Sequence, residues 1–309
     1  LSNNDGCAVA RSNEAKNLGI KMAVPYFKIK HLIDRENVYV FSSNYALYGD
    51  MSNRVMKTLV TFTPAIEIYS IDEAFLDFTN FAFASLTDYA RSIQSTVRRN
   101  TGIPISIGIG TSKTLAKIAN RIAKKSLKAN GVLDLTSSRY IDIALEQIPV
   151  EDVWGIGKRY AAYLKLINIK TALDFKYADI QIIKKKMGIN GVRTQKELYG
   201  ESCYSLETTP SVRKSVAVSR TFKTPITCFD ELSQALSSYI SRGAEKLREQ
   251  DSFSENMTVY VLTNRFNKES FYFNSRSHVF TTATNTTPEM IRQGKLLLKQ
   301  IFKDGKEYK

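Results

Sequence analysis

Apolar and polar residues alternate with two different periods along the chain, and each period predicts its own kind of element. Apolar residues three or four positions apart predict helices around residues 51–59, 86–97, 229–240 and 290–302, and a fifth from Lys113 to about Lys125. Short apolar or alternating runs predict a hairpin at 66–78 and strands at 103–110, 216–218, 257–262 and 271–280. Beyond residue 213 the resulting order is β-α-β-β-α, which favours an antiparallel sheet backed by two helices.

The stretch 66–78, I-E-I-Y-S-I-D-E-A-F-L-D-F, carries two adjacent acids, Asp72 and Glu73, between apolar arms. We expect a strand here to bury one face, and burying an unpaired carboxylate costs several kcal/mol. Two neighbouring carboxylates also repel each other, so a cation is needed to keep both ionised. A divalent metal is the obvious candidate. The alternative is that the pair forms the tip of a solvated hairpin.

The predicted helix that starts at Lys113 has one basic and one apolar side. Lys113, Lys117, Arg121 and Lys124 share the basic side, which contains no acid. It follows a glycine-rich turn, where backbone N–H groups favour phosphate. The alternative is an ordinary solvated face. A nucleotide-binding Walker A loop is excluded, because that loop needs glycine directly before the lysine and this chain has Ser112.

A third segment, E-D-V-W-G-I-G-K-R at 151–159, has the pattern of a helix-hairpin-helix. Such a turn presents backbone amides to a DNA phosphate without reading the base. We therefore predict DNA contacts at Gly155, Gly157, Lys158 and Arg159. The alternative is an ordinary glycine turn. A short helix that begins at Ser12 and ends at Gly19 is also predicted.

Composition narrows the classes of partner. A net charge of +14 and a pI near 9.5 point to a polyanion, either nucleic acid or an anionic membrane surface. The sequence contains neither an apolar run of about 18 residues nor a secretory segment, so nucleic acid is favoured. Cys7, Cys203 and Cys228 lack metal-ligand spacing, which fits structural thiols in a reducing compartment. The chain length favours at least two domains.

Residues 69–77, Y-S-I-D-E-A-F-L-D, closely resemble the palm motif of the Y-family translesion DNA polymerases. Residues 2–27 and 44–56 resemble the UmuC branch of that family. The resemblance implies an error-prone DNA-directed DNA polymerase that copies damaged templates in DNA repair during the SOS response. It also implies an α+β, right-hand architecture: fingers 1–48, palm 49–137, a helical thumb 138–207 containing the helix-hairpin-helix, a linker 208–213 and a little finger 214–309.

The resemblance also implies a site. Asp72 and Glu73 would be catalytic and would hold two Mg²⁺ ions, while Arg11, Lys16 and Lys124 would bind the nucleotide triphosphate. Lys113 would support the active site or the template strand. Arg220, Lys223, Arg265 and Arg276 would contact the DNA backbone, although basic residues at a sheet edge also occur without any ligand.

The partners implied by the resemblance are damaged primer-template DNA, deoxynucleoside triphosphates, a UmuD-like subunit, a RecA filament and a sliding clamp. The implied location is the bacterial cytoplasm, at the nucleoid and away from membranes. The family's first metal carboxylate and its ribonucleotide-excluding aromatic residue are expected before Leu1. We therefore expect these 309 residues alone to be inactive or severely impaired, and the C-terminus to be cut short. The alternative function is a non-catalytic DNA-binding protein that uses the helix-hairpin-helix and basic patches.

Overall fold

The computed structural model describes residues 1–3, 5–82, 84–209, 213–267 and 269–309. It divides into two compact units, one comprising Asn44–Pro210 and the other comprising Leu1–Ser43 with Ser211–Lys309. The predicted linker 208–213 lies partly outside the described residues. Among the described helices, none combines the length and apolar character that crossing a membrane requires.

Eleven helices and six strands are assigned in the described part of the chain, together with one turn of 3-10 helix at Val150–Asp152. In chain order they are α1 (Asn13–Asn17), α2 (Tyr26–Arg35), α3 (Tyr45–Val60), β1 (Ile66–Ile68), β2 (Ala74–Leu76), α4 (Leu86–Thr101), β3 (Ile107–Ile109), α5 (Lys113–Lys125), β4 (Val132–Asp134), α6 (Ser138–Glu146), α7 (Lys158–Leu166), α8 (Ala172–Tyr177), α9 (Ile180–Leu198), α10 (Phe229–Glu249), β5 (Ser254–Leu262), β6 (Phe273–Thr284) and α11 (Thr287–Ile301).

Helix α5 forms over the range that the sequence predicts. Ser112 caps its start by accepting a hydrogen bond from the Leu115 N–H at 3.2 Å. Leu115 and Ile118 are fully buried in the core that α5 shares with α6 to α9. On β3, Gly108 lets the helix approach closely, since a Cβ there would lie 2.1 Å from the Ala116 carbonyl oxygen. The apolar face of α5 is thus fixed against its own preceding strand.

The hairpin predicted at 66–78 is confirmed. β1 and β2 pair antiparallel, with Ile66 opposite Leu76 and Ile68 opposite Ala74. The Ser70 N–H donates to the Glu73 carbonyl oxygen at 3.0 Å and closes the turn. Asp72 and Glu73 therefore lie in the turn, and the expectation that a strand buries one face of this pair was wrong. The hairpin satisfies its backbone groups with three paired residues on each side.

The predicted strand 103–110 is also shorter than expected. Only Ile107–Ile109 is assigned as strand, and it pairs in parallel with β4. The stretch from α6 to α9 is helical, as the sequence predicts. Within α9, Gly188 adopts φ 68°, a left-handed conformation that interrupts the helix.

The other unit contains a two-stranded sheet with helices α10 and α11. β5 and β6 pair antiparallel, with Val259 opposite Arg276. Gly294 of α11 allows close packing on α10, because a Cβ there would lie 2.2 Å from the Ile240 Cδ1. The predicted strand at 216–218 is absent from the described residues, where Ile226 and Tyr308 form an isolated bridge instead. The observed order is therefore α-β-β-α, and the predicted first strand was wrong.

Near the N-terminus, α1 confirms the short helix that the sequence predicts. Ser12 caps it through a hydrogen bond from the Ala15 N–H. Gly19 then adopts φ 81°, which a side chain would disfavour.

Candidate functional site

Asp72 lies in the turn between β1 and β2. Its side chain is exposed, and the Ser70 hydroxyl donates to its Oδ1 at 2.7 Å. From α3, the Ser52 hydroxyl donates to the Ile71 carbonyl oxygen at 2.5 Å. The turn is thereby tied to the helix that precedes it in the chain.

Glu73 is half-buried, and both of its carboxylate oxygens accept from the Lys117 ammonium group at 3.0 Å. The side chains of Glu73 and Lys117 are 34% and 23% exposed. The same ammonium group lies 4.7 Å from the ring centre of Tyr69, 5.9 Å from Phe75 and 5.8 Å from Trp154. We call these three rings the aromatic cage. The Lys117 ammonium group therefore contacts both a carboxylate and three aromatic rings, and each of these groups attracts a cation.

The aromatic cage joins the hairpin to the segment that contains the G-I-G turn. The Trp154 indole N–H donates to the Tyr69 hydroxyl at 3.0 Å. The ring of Tyr69 meets those of Phe75 and Trp154 edge-on, at 5.7 and 5.6 Å between centres. Trp154 directly precedes Gly155, so the predicted DNA-contacting turn and the acid-bearing turn share a side-chain contact.

Lys113, at the start of α5, is almost buried. It pairs with Glu67 of β1 and donates to the Ser205 carbonyl oxygen at 2.7 Å. Glu67 also accepts from the Glu207 N–H at 2.8 Å. The exposed fractions of the Lys113 and Glu67 side chains are 10% and 8%. The charge of Lys113 is thus neutralised within the protein, and a DNA contact there stays a prediction.

Arg121 completes a series of ion pairs along α5, since it pairs with Asp152 of the 3-10 helix. Three of the four cations on the basic side of α5 therefore meet acids from β1, the hairpin turn and the 3-10 helix. Lys124, in the last turn of α5, is exposed. The acids that pair with this helix face come from other elements, so the sequence of α5 alone does not reveal them.

A buried carboxylate holds the start of α5. Glu197, at the end of α9, accepts from the Thr114 N–H and the Cys203 N–H, both at 2.8 Å. Its carbonyl oxygen accepts from the Ser112 hydroxyl at 2.7 Å. A negative charge beside the first N–H groups of a helix is stabilising. Glu197 thereby positions the helix that carries the site's cations.

The G-I-G turn lies between α6 and α7. Gly155 adopts φ 86°, and Gly157 is the residue that caps α7. Both glycines are exposed, as are Lys158 and Arg159 in the first turn of α7. Ile156 between the glycines is buried and anchors the turn. The first N–H groups of a helix lack partners within the helix, so this turn offers amides and cations to an anion.

The remaining predicted residues lie in the other unit. The Arg11 guanidinium donates to the Ile20 carbonyl oxygen at 2.9 Å, and the Lys16 ammonium group donates to Asn13 Oδ1 at 3.1 Å. The four basic residues predicted to contact the DNA backbone are exposed: Arg220, Lys223, Arg265 and Arg276. Their role as DNA contacts stays a prediction.

Asp77, the last acid of the 69–77 motif, is engaged locally. The Thr79 hydroxyl donates to Asp77 Oδ1 at 2.5 Å and the Thr79 N–H at 2.8 Å. These hydrogen bonds hold the pKa of Asp77 below its usual value. Asp77 is therefore an ionised cap of its own turn.

The donor set at the hairpin turn fits Mg²⁺, which protein sites bind through one or two carboxylates together with substrate phosphates. Asp72 and Glu73 supply two adjacent carboxylates, and Asp72 is exposed. Within the described residues, no group of three or more His, Cys, Asp or Glu side chains gathers at a possible metal position. Each Glu73 oxygen accepts one hydrogen bond from Lys117 and keeps a second lone pair, so a metal at Glu73 would share this carboxylate with a neighbouring positive charge.

Comparison with known proteins decides the family. A family model described as "impB/mucB/samB family" matches residues 1–121, and the model of that family's C-terminal domain matches residues 213–309. The chain is 43% identical over 311 residues to Protein UmuC of Salmonella typhimurium, covering all of this chain and 74% of that protein. The chain belongs to the impB/mucB/samB family.

More distant matches extend the picture of this impB/mucB/samB member. DNA polymerase IV of Caulobacter vibrioides is 25% identical over 296 residues, covering 94% of this chain and 69% of that protein. A solved Y-family DNA polymerase chimera matches with a TM-score of 0.77 at 21% identity, covering 99% of this chain and 85% of that one. The predicted Y-family resemblance and the α+β polymerase fold class are confirmed.

Among the residues at this site, sequence reasoning assigned no role to Lys117, Glu67 or Trp154. Two signals were available. Lys117 stands on the same helix face as Lys113 and Lys124, and Trp154 is the one tryptophan of the whole sequence and directly precedes the G-I-G turn.

Proposed function

We propose that this chain carries the catalytic region of a Y-family DNA-directed DNA polymerase that performs error-prone synthesis across damaged template bases. The observation that carries the proposal is the Asp72–Glu73 pair in a hairpin turn, with Glu73 held by α5, in a chain of the impB/mucB/samB family. The alternative of a non-catalytic DNA-binding protein accounts for the basic charge and the G-I-G turn. It gives no reason for two adjacent acids beside a lysine and three aromatic rings.

The reaction joins the primer 3′-oxygen to the α-phosphorus of a deoxynucleoside triphosphate. The bond between that phosphorus and the oxygen bridging to the β-phosphate breaks and releases pyrophosphate, while the hydroxyl proton passes to solvent. Asp72 and Glu73 hold two Mg²⁺ ions in this proposal. When bound, these ions make the primer hydroxyl more acidic and neutralise charge on the phosphates. The two carboxylates hold this centre at a fixed point, because the hairpin turn that carries them is tied to α3 and α5.

Binding of the triphosphate falls to cations that are not already neutralised. Lys124 is exposed at the end of α5, and we assign it to the triphosphate. We assign Arg11 and Lys16 to the same ligand on the family resemblance. The Arg11 guanidinium makes one hydrogen bond to a carbonyl oxygen, which leaves its charge without a countercharge at that contact.

DNA is held through its backbone in this proposal. The exposed amides of Gly155 and Gly157, together with Lys158 and Arg159, suit one or two phosphates and no particular base. We further assign to the DNA backbone four exposed residues of the other unit: Arg220, Lys223, Arg265 and Arg276. Such contacts suit a polymerase that must accept any template sequence.

The domain organisation, the protein partners and the location that we propose rest on the family resemblance alone. The fingers would span 1–48, the palm 49–137, the thumb 138–207, the linker 208–213 and the little finger 214–309. A UmuD-like subunit, a RecA filament and a sliding clamp are the proposed protein partners. The proposed location is the bacterial cytoplasm, at the nucleoid.

The test is primer extension on undamaged and abasic templates with Mg²⁺ and all four nucleotides, using the full-length protein that contains residues 1–309. Asp72→Asn should lower the rate by at least about 10²-fold, because it removes charge from the metal-holding carboxylates. Asp88→Asn is the matched control, since Asp88 is exposed and pairs with Arg91 three positions away on the same helix. Full activity of the Asp72→Asn variant would refute the assignment. DNA binding without any extension by the wild-type protein would favour the non-catalytic alternative.

A further inference from the structure

Lys117 stands out among the paired cations of α5 because its partner is a proposed metal ligand. Both oxygens of Glu73 are bound to its ammonium group, so a metal ion at this carboxylate competes with a positive charge that is already in contact with it. The aromatic cage lies within 6 Å of the same nitrogen. A cation in this position keeps favourable contacts even when one of its two kinds of partner is withdrawn.

We propose that Lys117 is a positioning residue for Glu73. It is a built-in cation that neutralises and orients the carboxylate until a divalent ion displaces it toward the aromatic cage. This inference rests on the proposed metal role of Glu73 and adds to it a competitor within the chain. The consequence is that metal affinity at the hairpin turn depends on the charge of Lys117.

The nearby Lys113–Glu67 pair provides a comparison on the same helix. It is almost buried, and two backbone groups, from Ser205 and Glu207, bind it as well. The Lys117–Glu73 pair is more exposed and adjoins the exposed Asp72. Water and ions therefore reach Glu73 far more easily than Glu67, and exchange of its partner is easier.

The cage provides a reason for Lys117 to remain at the site after displacement. Tyr69 and Trp154 are fixed to each other by a hydrogen bond, so their rings hold their positions independently of Glu73. The Tyr69 ring centre is already 4.7 Å from the ammonium nitrogen. Displacement therefore needs only a small movement of a flexible side chain.

The first measurement is Mn²⁺ binding, followed by the electron paramagnetic resonance of free Mn²⁺. Lys117→Met keeps the length of the side chain and removes the competing charge, so it should tighten Mn²⁺ binding by about 3- to 10-fold. Lys125→Met is the matched control, because it removes one charge from the same helix at an exposed position. It should leave Mn²⁺ affinity unchanged.

The second measurement follows Lys117 in protein of native sequence. Reductive methylation with ¹³C-formaldehyde labels lysines and preserves their charge, and Lys117→Arg identifies the Lys117 signal by its loss. Before metal is added, the nearby aromatic rings should shift that signal away from the usual chemical shift of a methylated lysine. It should move further on addition of Mg²⁺, while the Lys125 signal stays in place. This readout does not require the Lys117→Met variant to fold.

The outcomes separate this inference from the proposed function. If Asp72→Asn does not weaken Mn²⁺ binding, the metal assignment itself fails. If Asp72→Asn weakens binding but Lys117→Met leaves it unchanged or also weakens it, Lys117 is an ordinary structural partner and the inference is overturned. A Lys117 signal that ignores Mg²⁺ overturns it as well.

Discussion

Helices α5 and α7 lie in the same compact unit and both carry cations. Most cations on the basic side of α5 are paired with acids, whereas those at the start of α7 are exposed. On α5, Lys113, Lys117 and Arg121 are each paired with an acid from another element. In the first turn of α7, Lys158 and Arg159 are exposed beside two exposed glycines. The paired cations fix the position of the candidate site. The exposed ones, like Lys124 at the end of α5, are available to a phosphate.

This difference shows why the net charge of +14 is a poor measure of the DNA-binding surface. A cation neutralised within the protein releases few counterions from DNA, and counterion release dominates backbone binding. The two helices therefore predict different results from similar substitutions. On α5 the loss should appear in stability, and on α7 in DNA affinity.

Lys113→Met should give the largest loss of stability. It leaves Glu67 almost buried without its cation, and removing one partner of a buried ion pair costs about 3 kcal/mol or more. Urea denaturation followed by circular dichroism measures the loss. Lys165→Met, which removes one partner of the exposed Glu151 pair, is the control and should leave the urea midpoint unchanged. Equal midpoints for Lys113→Met and wild type would contradict the structural role of Lys113.

The double substitution Lys158→Ala/Arg159→Ala should leave stability unchanged and weaken DNA binding. Removing about two phosphate contacts should lower the slope of log affinity against log salt concentration by about 2 and weaken binding by about 10-fold at moderate salt. Fluorescence anisotropy with duplex DNA at several salt concentrations provides both values. Arg54→Ala/Lys196→Ala removes the same charge from cations that already pair with Asp50 and Glu201. A similar change of slope in both double variants would mean that only net charge matters.

Asp142→Asn removes the partner of Lys176, a paired cation outside α5, and its effect should be the smallest. The Lys176 ammonium group and then the Tyr177 hydroxyl hold the pKa of Asp142 below its usual value. The pair therefore stabilises the fold above the unfolded-state pKa, and this contribution disappears as pH falls through the lower folded-state pKa. Because Asp142 is partly exposed, we expect a loss of about 1 kcal/mol at pH 7.

Thermal unfolding of wild type and Asp142→Asn between pH 7 and pH 2.5 follows this dependence. The difference in midpoint should shrink as the pH falls below about 4. Glu201→Gln, in an exposed pair with Lys196, is the control and should show no such trend. A constant difference across the pH range would show that the charge of Asp142 is not its cause.

The sequence predicts the fold best where local signals agree. The range of α5 follows from its apolar spacing and from Ser112 as a cap, and both signals lie within the segment itself. The strand predicted at 216–218 is absent from the described residues because alternation alone does not provide a pairing partner. The parallel pairing of β3 with β4 depends on a contact across α5, which no local pattern contains.

The same limit applies to the candidate site. Asp72 and Glu73 are found by their motif, whereas Lys117 is separated from Glu73 by 44 positions and Trp154 from Tyr69 by 85. The sequence also overestimated the burial of the two acids, because it placed them where an apolar hairpin at 66–78 buries one face and not in its exposed turn. In the tight turn that forms instead, Asp72 is exposed to solvent, whereas Glu73 pairs with Lys117 of α5.

The contact of Glu197 with α5 bears on the order in which the protein can mature during its synthesis. The hydrogen bonds that complete the start of α5 come from a residue 83 to 85 positions later in the chain. A nascent chain that ends before α9 has left the ribosome lacks this carboxylate, and the beginning of its lysine-bearing helix is unsupported. Completion of the start of α5 therefore waits for translation to pass α9, so a partial product contains Asp72 and Glu73 before the helix beside them is supported.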